Sequence, residues 1–377
     1  MNKKIYFWSP YNSKIGTVNS VLNSARSMKK YSKNILNPYL IDTTGEWDQF
    51  NKEFNIIYLR KNKFDLRKIK NKGFIWSRLF FLSIFFSNFF NLKRLLKKDQ
   101  PDYLIAHLIT SLPLSLYFIF NFKTKLILRI SGEPNLGFIR KFFWKILSDR
   151  IFLITCPNHK IKDILIQKKI FKTDKVKVLL DPVINIKEII NKKKISKKNS
   201  INFKYFLSIG RLTKQKNFKF LIKNFTKLKR DHPDLKLLIL GEGEEKKKLT
   251  DMINKLNLKK DIILEGFQKN VYPYMQNAEG LIMTSIAENP GHVLIEAAVI
   301  NCPIIASDCP TGPSEFLENG KGGFLFKTND ETDFINKFKD FMHQTNKEKH
   351  KKKYYAKKNS INYTSFRHYL QFIKVIN

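Results

Sequence analysis

Cysteine, proline and glycine are scarce in this sequence. Its 377 residues include three cysteines, 13 prolines and 15 glycines. Cys156, Cys302 and Cys309 form no Cys-x-x-Cys pair and are too few for a disulfide framework, so we expect a reducing compartment. The low proline and glycine content, with 43% hydrophobic residues, excludes a collagen-like or low-complexity disordered chain. The length of this globular chain favours two domains.

Acidic residues are also scarce. Thirty-two Asp and Glu stand against 70 Lys and Arg, which gives a formal net charge of +38. Such a chain attracts anions, including phosphates, nucleic acid and acidic lipid headgroups. A coding bias towards Lys, Asn and Ile is an equal explanation of the excess, and composition does not choose between the two.

Long uninterrupted apolar runs are missing as well. The segment MNKKIYFWSPYNSK turns polar within about ten residues, so it is expected to be a strand and not a secretory signal, in a cytoplasmic protein. Residues 74–92 approach the length that spans a bilayer, but Arg78, Ser83, Ser87 and Asn88 interrupt them. Two interpretations stay open, a buried domain helix and an amphipathic helix on anionic lipid, and the buried helix is preferred.

Apolar runs alternate with segments of helical length in the first half. The candidate strands are KIYFWS, PYLID, NIIYLR, YLIAHL, KLILRIS and RIFLIT. Runs of this length fit strands buried on both faces, and helices between them indicate a parallel sheet. Residues 1–185 are therefore predicted to form a Rossmann-like α/β domain.

The alternation stops and then resumes. Residues 186–200 are polar and basic without core periodicity, which is typical of a linker. A second doubly wound domain over 201–355 is predicted by YFLSIGRL, LKLLILGEG, IILEGF, GLIMTS, PIIASD and GGFLFK. A last helix at about 360–377 is expected to pack back onto the first domain. In such an α/β protein, ligands are expected in a cleft between the two sheets, beyond the carboxyl ends of the strands.

The loop in SIGRLTKQKN carries two cations. Gly210 ends a strand, and Arg211 and Lys216 follow before a helix begins. Cations beside a helix N-terminus can bind a diphosphate. Because the chain has 70 Lys and Arg, two solvated surface cations are the alternative.

The loop in LLILGEGEEKKKL contains Gly241 and Gly243 directly after a strand. These glycines permit a tight turn and a close approach of the backbone to a ligand. The pattern is not Gly-x-Gly-x-x-Gly, so a purely structural role is the alternative.

The third informative loop lies in TSIAENPGHVLIEAAVINCPIIASDCPTGPSEFL. It places Glu288 after a strand, Pro290 and Gly291 at the start of a helix, and Glu296 within that helix. An unpaired carboxylate in an apolar helix is costly to bury, so Glu296 requires a donor such as a ligand hydroxyl. A position at a water-exposed helix edge, or a pair with a lysine, is the alternative.

These loops together resemble a known family. GRLTKQKN, GEGEEKKKL and SIAENPGHVLIEAAVINCPIIASDCPTGPSEFLENGKGGFLF are similar to the donor half of family 4 glycosyltransferases over roughly residues 204–330, and Glu288-x7-Glu296 is that family's hallmark. The resemblance implies the GT-B fold and transfer of a hexose-type sugar, with retention, from a nucleoside diphosphate donor. ENPGHVLIEA with SDCPTGP further resembles transferases of bacterial lipopolysaccharide or capsule synthesis.

The resemblance also implies individual roles. Arg211 and Lys216 neutralise the donor diphosphate, Glu288 lies near the transferred sugar, and Glu296 binds the ribose hydroxyls. The other donor-binding positions are Gly210, Gly241, Gly243, Asn289, Pro290, Gly291, His292 and Val293.

The N-terminal half supplies two candidate site residues. Gly16 lies in SPYNSKIGTVNS, at the place where family members contact donor phosphate or acceptor. His107 ends the strand in YLIAHL and resembles the family histidine that contacts the donor sugar, although a core or edge histidine is the alternative.

Two further segments follow strands of the first domain. Arg129, Ser131 and Glu133 in RISGEPNLG are expected either to line the acceptor side or to form a structural loop. Asp181 and Pro182 are expected at the hinge between the domains.

The resemblance implies a front-face substitution, in which the leaving diphosphate deprotonates the incoming hydroxyl. No Asp-x-Asp motif follows a strand, so we expect no metal and no other cofactor. The expected partners are a nucleotide sugar, a glycan or polyprenyl-diphosphate-linked acceptor and an anionic membrane surface on the cytoplasmic face of the inner membrane. A sugar-nucleotide epimerase with the same fold is one rival; a nucleic-acid-binding protein is another, although no nucleic-acid reader motif accompanies the charge.

Overall fold

The computed structural model describes residues 2–11, 16–60, 74–134, 137–194 and 201–377. The chain divides into two compact units. The first comprises Met1–Pro182 and Ser365–Asn377, and the second comprises Val183–Thr364. The chain therefore passes from the first unit to the second after Pro182, slightly before the predicted boundary at residue 185. It returns to the first unit at Ser365.

The N-terminal unit contains a parallel sheet of seven strands. The strands are β1 (Lys3–Trp8), β2 (Leu36–Asp42), β3 (Asn55–Tyr58), β4 (Tyr103–Ala106), β5 (Lys125–Arg129), β6 (Leu153–Cys156) and β7 (Val176–Val178). Their spatial order is β3-β2-β1-β4-β5-β6-β7. The six predicted strands are confirmed, and β7 is an additional edge strand that pairs with β6.

Helices cover both faces of this sheet. They are α1 (Gly16–Tyr31), α2 (Phe74–Asp99), α3 (Ser111–Ile119), α4 (Phe138–Leu147), α5 (His159–Gln167) and, at the end of the chain, α14 (Ser365–Ile376). One apolar cluster joins α2, α3, α4 and α5 to the sheet, and a second joins α1 and α14 to it. The last helix thus completes the core of the first unit: Phe372 is fully buried there, and His368 bonds to Ser24 of α1.

The C-terminal unit contains six parallel strands. They are β8 (Phe206–Ile209), β9 (Leu237–Leu240), β10 (Ile262–Gly266), β11 (Gly280–Met283), β12 (Ile304–Ser307) and β13 (Phe324–Phe326), in the order β10-β9-β8-β11-β12-β13. Every strand predicted in this half is present.

Eight helices of the C-terminal unit are described. They are α6 (Ile186–Lys194), α7 (Phe218–Asp231), α8 (Lys246–Lys255), α9 (Tyr272–Asn277), α10 (His292–Val299), α11 (Pro313–Phe316), α12 (Glu331–His343) and α13 (Asn346–Ser360). Basic α13 begins with a capping box of Thr345 and Glu348, a signal that the T-x-x-E spacing in the sequence carries.

The predicted linker over 186–200 is wrong in its first part. Residues 186–194 form α6, which buries Ile189 and carries an ion pair between Glu188 and Lys192 at 2.6 Å. The polar composition concealed the helix because only one of its isoleucines, Ile189, is buried, whereas Ile186 and Ile190 are exposed. Residues 195–200 lie outside the described residues.

Both sheets share one feature that positions a site. In each sheet, the first strand lies beside the fourth. The second and third strands are added on one side of the first strand, and the remaining strands are added on the other side. Loops that leave these two central strands diverge and open a crevice beyond their carboxyl ends. The crevices lie at β1/β4 in the first unit and β8/β11 in the second.

Candidate functional site

The loops after β8 and β11 meet at the switch point of the C-terminal sheet. The backbone N–H of Ile286 donates to the carbonyl of Gln215 at 2.9 Å, and the Gln215 side-chain amide donates to the Ala287 carbonyl at 2.9 Å. The hydroxyl of Thr284 lies 3.2 Å from the carbonyl oxygen of Lys216. The predicted Arg211–Lys216 loop and the Glu288 loop therefore form one site.

Lys216 and Glu288 form an ion pair at the centre of this site. The Lys216 ammonium donates to Glu288 Oε1, and the Ser285 hydroxyl donates to the same oxygen at 2.6 Å. Glu288 is buried. Its backbone is held too, because Glu288 N donates to Pro310 O at 2.8 Å and Thr311 N donates to Glu288 O at 2.9 Å. Hydrogen bonds therefore hold both the carboxylate and the backbone of Glu288 in place.

Arg211 differs from Lys216. Its side chain is exposed and has no ion pair or side-chain hydrogen bond with the described part of the chain. The guanidinium is thus a cation available at the switch point, with five N–H donors in a planar arrangement that matches phosphate oxygens.

Three glycines let the β8 and β9 loops approach each other. A Cβ on Gly241, whose φ is +144°, would lie 1.9 Å from the carbonyl oxygen of Gly210. One on Gly243 would lie 2.3 Å from Leu212 O, and one on Gly210 would lie 3.1 Å from the Lys216 side chain. The close approach of the two backbones accounts for Gly241 and Gly243 without a ligand. Gly210 leaves the space through which the Lys216 side chain reaches Glu288.

The helix after Glu288 begins where the sequence predicted. Gly291 caps α10 with φ +92°, and α10 starts at His292 and Val293. Asn289 and Pro290 complete the connection; the hydroxyl of Thr311 donates to Asn289 Oδ1, and a Cβ on Gly312 would lie 2.5 Å from Pro290 O. The N-terminus of α10 is therefore held rigidly beside Glu288.

Glu296 lies in the second turn of α10. Its carboxylate makes no hydrogen bond with the residues that the structure describes. Burial raises the pKa of this carboxyl, while the charges of His292 and Lys192 act in the opposite direction. The Glu296 carboxylate can therefore accept hydrogen bonds from a ligand donor, as the sequence predicted.

Sequence reasoning missed the surroundings of Glu296. Lys192 comes from α6, and its ammonium lies 5.8 Å from the ring centroid of Tyr272 on α9. Burial and the nearby Glu296 and Glu188 raise the pKa of Tyr272. Because α6 was interpreted as linker, no sequence signal placed Lys192 near α10.

The two N-terminal candidates belong to the other unit. Gly16 is the first residue of α1 and is exposed, but residues 12–15 of its loop lie outside the described residues. His107 follows β4 directly, and its backbone N–H donates to the carbonyl of Trp8 on β1 at 2.9 Å. Both residues therefore flank the switch point of the N-terminal sheet.

The surroundings of His107 favour its neutral form. Burial, and next the positive charge of Arg129, lower the pKa of His107 to about 3. Its Nδ1 is buried without a hydrogen-bond partner among the described residues. In this form the ring can donate one hydrogen bond and accept another, and it carries no charge.

One expectation was that Arg129 lines the acceptor side of the site. The structure contradicts it, because the Arg129 side chain is buried. Its guanidinium is buried and donates to Asp181 Oδ1 and to the Leu179 carbonyl, both at 2.7 Å. Asp181 is therefore the partner of a buried ion pair beside the end of the first unit. Glu133 pairs with Lys168 at 3.3 Å on the surface.

No group of three or more His, Cys, Asp or Glu side chains suited to a metal ion occurs among the described residues.

With this geometry in place, the chain can be compared with known proteins. Residues 190–359 match the family described as glycosyl transferases group 1. The match covers nearly all of the C-terminal unit, Val183–Thr364, and none of the N-terminal one. The match includes every site residue of the C-terminal unit, from Lys192 in α6 to Glu296 in α10.

Two curated relatives extend the match beyond this domain. An uncharacterized glycosyltransferase of Methanocaldococcus jannaschii is 33% identical over 250 residues, which are 60% of this chain and 61% of that protein. The N-acetylgalactosamine-N,N'-diacetylbacillosaminyl-diphospho-undecaprenol 4-alpha-N-acetylgalactosaminyltransferase of Campylobacter jejuni is 30% identical over 236 residues, 59% of this chain and 62% of that protein. Each alignment thus spans less than two thirds of the relative's own length.

Solved structures agree over the whole chain. A glycosyltransferase of Rickettsia africae superposes with a TM-score of 0.75 at 18% identity, over 100% of this chain and 97% of that chain. A protein of Anabaena in complex with UDP and glucose superposes with a TM-score of 0.72 at 15% identity, over 100% and 99%. Together with the two parallel sheets, these likenesses confirm the predicted GT-B fold.

Proposed function

We propose that this chain transfers a hexose-type sugar, with retention of configuration, from a nucleoside diphosphate sugar to a hydroxyl of a glycan or a lipid-linked glycan. The observation that carries the proposal is the ion pair of Lys216 and Glu288 at the β8/β11 switch point, beside the N-terminus of α10, with the exposed Arg211 in the same loop as Lys216. This arrangement offers positive charge where a leaving diphosphate develops negative charge.

Lys216 and Arg211 supply that charge in different ways. An ammonium has three N–H donors, and the bond to Glu288 uses one, so two remain for phosphate oxygens. The exposed Arg211 can bind a second phosphate group with two parallel hydrogen bonds. Side-chain cations thereby supply positive charge at the diphosphate, and we propose that no metal ion is required.

Glu288 is poorly suited to attack the sugar from the opposite face, so we propose substitution on a single face. Its Oε1 already accepts hydrogen bonds from Lys216 and Ser285, which lowers its power as a nucleophile. In the proposed step, the bond between the anomeric carbon and the diphosphate oxygen breaks. A bond from the acceptor oxygen forms on the same face, and the acceptor proton moves to the leaving phosphate. Glu288 orients the Lys216 ammonium and the sugar.

Glu296 is the proposed partner of the nucleotide ribose. A carboxylate without a hydrogen bond, in a partly buried position, gains most from two hydroxyl donors. The neighbouring Lys192 favours its charged form. In the other unit, the neutral His107 is proposed to hydrogen-bond a sugar hydroxyl, and Gly16 to leave room for ligand near β1.

The acceptor and location rest on similarity. The Campylobacter jejuni relative is named for an undecaprenol-diphosphate substrate, which supports a polyprenyl-diphosphate-linked acceptor for this chain. Such an acceptor would place the enzyme on the cytoplasmic face of a membrane, in synthesis of a cell-surface polysaccharide.

The decisive experiment is a thermal-shift panel with UDP, GDP, ADP and CMP on the wild-type chain and on Arg211→Ala and Glu296→Ala. We expect stabilisation by one nucleoside diphosphate, beginning with UDP because the Anabaena structure contains it, and loss of that stabilisation in both variants. Lys214→Ala is the matched control, because Lys214 is an exposed cation in the same loop.

Two outcomes would contradict the proposal. Stabilisation that survives in Glu296→Ala and Arg211→Ala would place the nucleotide elsewhere. Salt-sensitive binding of RNA or DNA, without stabilisation by any nucleotide, would instead identify a nucleic-acid-binding protein. Once a donor is found, the NMR coupling constant of the product's anomeric proton tests retention, and EDTA is expected to leave the rate unchanged.

A further inference from the structure

Helix α2 has two apolar sides. A stripe at spacings of four residues, including Phe80, Ile84 and Leu92, is buried against the N-terminal sheet. On the opposite side, large apolar side chains face solvent; Phe86 is 71% and Phe90 is 70% exposed. The other exposed apolar residues of this helix are Trp76, Leu79, Phe81 and Leu82.

Two neighbouring helices of the same unit, α3 and α4, also expose large apolar side chains. Helix α3 packs against both α2 and α4, and Phe118 of α3 lies 5.5 Å from Phe143 of α4, measured between ring centroids. On α4, Phe138 is 85% and Phe142 is 59% exposed. We call these exposed apolar residues of α2, α3 and α4 the aromatic face. Monomeric proteins rarely leave such a concentration of large apolar groups in water.

The charges beside the aromatic face are complementary to an anionic partner. None of the three helices contains an acidic residue before Asp99 at the end of α2. Exposed cations lie beside the apolar positions: Lys141 and Lys145 follow Phe138 and Phe142 by three residues, so they flank the same stripe of α4. A Phe-rich surface bordered by Lys and Arg complements the headgroup region of an anionic bilayer.

The packing of α2 argues against a helix that crosses a membrane. By length and composition, Arg78–Asp99 could span a bilayer. However, its buried stripe belongs to the sheet core, and Asn88 is buried there with its amide bonded to the Ile84 carbonyl at 3.0 Å. Crossing would remove these groups from the domain, whereas lying flat inserts only the opposite side.

We infer that the aromatic face is the surface by which the N-terminal unit binds anionic lipid. The inference deepens the proposed function, on which its purpose rests, because it names the surface that would bring the enzyme to a lipid-linked acceptor. Aromatic side chains supply insertion, and Lys141 and Lys145 supply attraction to negative headgroups.

The test is co-sedimentation of the full-length chain with vesicles of phosphatidylcholine alone or with 30% phosphatidylglycerol, at about 50 mM and 500 mM salt. We expect binding to the anionic vesicles that weakens at high salt. Phe86→Ser/Phe90→Ser should bind at least tenfold more weakly at both salt concentrations. Lys141→Gln/Lys145→Gln should weaken binding several-fold at low salt and little at high salt.

Controls separate this inference from misfolding and from failure of the proposed function. Tyr354→Ser removes an exposed aromatic group from α13 of the other unit and should bind vesicles like the wild type. Thermal stabilisation by the nucleotide found above should be unchanged in Phe86→Ser/Phe90→Ser, because the C-terminal site is untouched. A chain that binds lipid but no nucleotide would refute the proposed function and leave this inference standing.

Three results would overturn the inference. The first is wild-type binding by Phe86→Ser/Phe90→Ser, and the second is equal binding to neutral and anionic vesicles. The third is a dimer in sedimentation equilibrium that becomes a monomer in Phe86→Ser/Phe90→Ser and ignores vesicles, which would assign the aromatic face to a second copy of the chain.

Discussion

Lys216 and Glu288 lie 72 positions apart in the chain and form an ion pair at the carboxyl ends of two neighbouring strands. The pair joins the two loops that the family resemblance assigned to the donor diphosphate and sugar. Because both side chains are largely removed from water, removal of either one leaves the charge of the other without its ion-pair partner.

Replacement of Lys216 by Met should therefore have two separable effects. It leaves the buried Glu288 charge without its partner, which we expect to destabilise the C-terminal unit by about 3 kcal/mol. It also removes a phosphate ligand, which should lower kcat/KM at least a hundredfold. Urea denaturation and initial rates measure the two effects.

The double variant Lys216→Met/Glu288→Gln distinguishes them. Removing both charges should restore most of the stability but none of the activity. Lys214→Met, at an exposed position of the same loop, should change neither. Recovery of activity in the double variant would mean that Lys216 only neutralises Glu288.

Glu296→Gln tests the ribose contact. A hydrogen bond to a charged group contributes about 1.5–3 kcal/mol, so the variant should bind the nucleoside diphosphate roughly 10- to 100-fold more weakly in calorimetry. Since burial raises the pKa of Glu296 and the ionised form accepts both hydroxyls, wild-type affinity should rise with pH through that pKa. Glu296→Gln should lose this dependence, whereas Asp340→Asn on the surface of α12 should retain it.

Gly241→Ala tests the close approach of the β8 and β9 loops. The added Cβ would lie 1.9 Å from Gly210 O at a φ of +144°, so the backbone must move. We expect a loss of about 3 kcal/mol in the unfolding free energy of the C-terminal unit and weaker nucleotide binding. Glu244→Ala, at an exposed position in the same loop, should stay within about 0.5 kcal/mol of the wild type. Equal stability of the two variants would show that the loops are not packed this closely.

The stability of the N-terminal unit should fall in mild acid because of His368. Its Nδ1 lies 2.6 Å from Leu180 O and its Nε2 lies 2.8 Å from the Ser24 hydroxyl. Burial, opposed by the hydrogen bond to Leu180 O, lowers the pKa of His368 to about 4; the charge of Arg129 also lowers this pKa and that of Asp181 raises it. As the pH falls, His368 therefore takes up a proton near pH 6.5 in the unfolded chain but only near pH 4 in the folded chain. Between these values, each pH unit should cost about 1.4 kcal/mol.

His368→Gln isolates this contribution. Glutamine can donate to Leu180 and accept from Ser24 but does not titrate. The dependence of unfolding free energy on pH, measured by denaturant titration from pH 7 to pH 4.5, should be shallower in the variant. Identical slopes would show that His368 takes up its proton in the folded chain as readily as in the unfolded one.

The sequence predicted the elements of the fold well because their signals are local. Apolar runs of strand length, separated by helical segments, identified all the strands except β7, which is three residues long. Gly291 before α10 and the glycines after β9 were also readable, since a glycine marks a backbone position directly. The basic composition, by contrast, concealed α6.

The sequence by itself thus determined two α/β domains, the loops that follow their strands, and the candidates Arg211, Lys216, Glu288 and Glu296. Only the tertiary structure decided which of these residues touch. Strand order joined Lys216 to Glu288, helix packing brought Lys192 near Glu296, and folding back of the last helix buried His368 beside Arg129 and Asp181. Local spacing cannot encode these contacts, because they depend on which strands become neighbours and on which side each helix crosses the sheet.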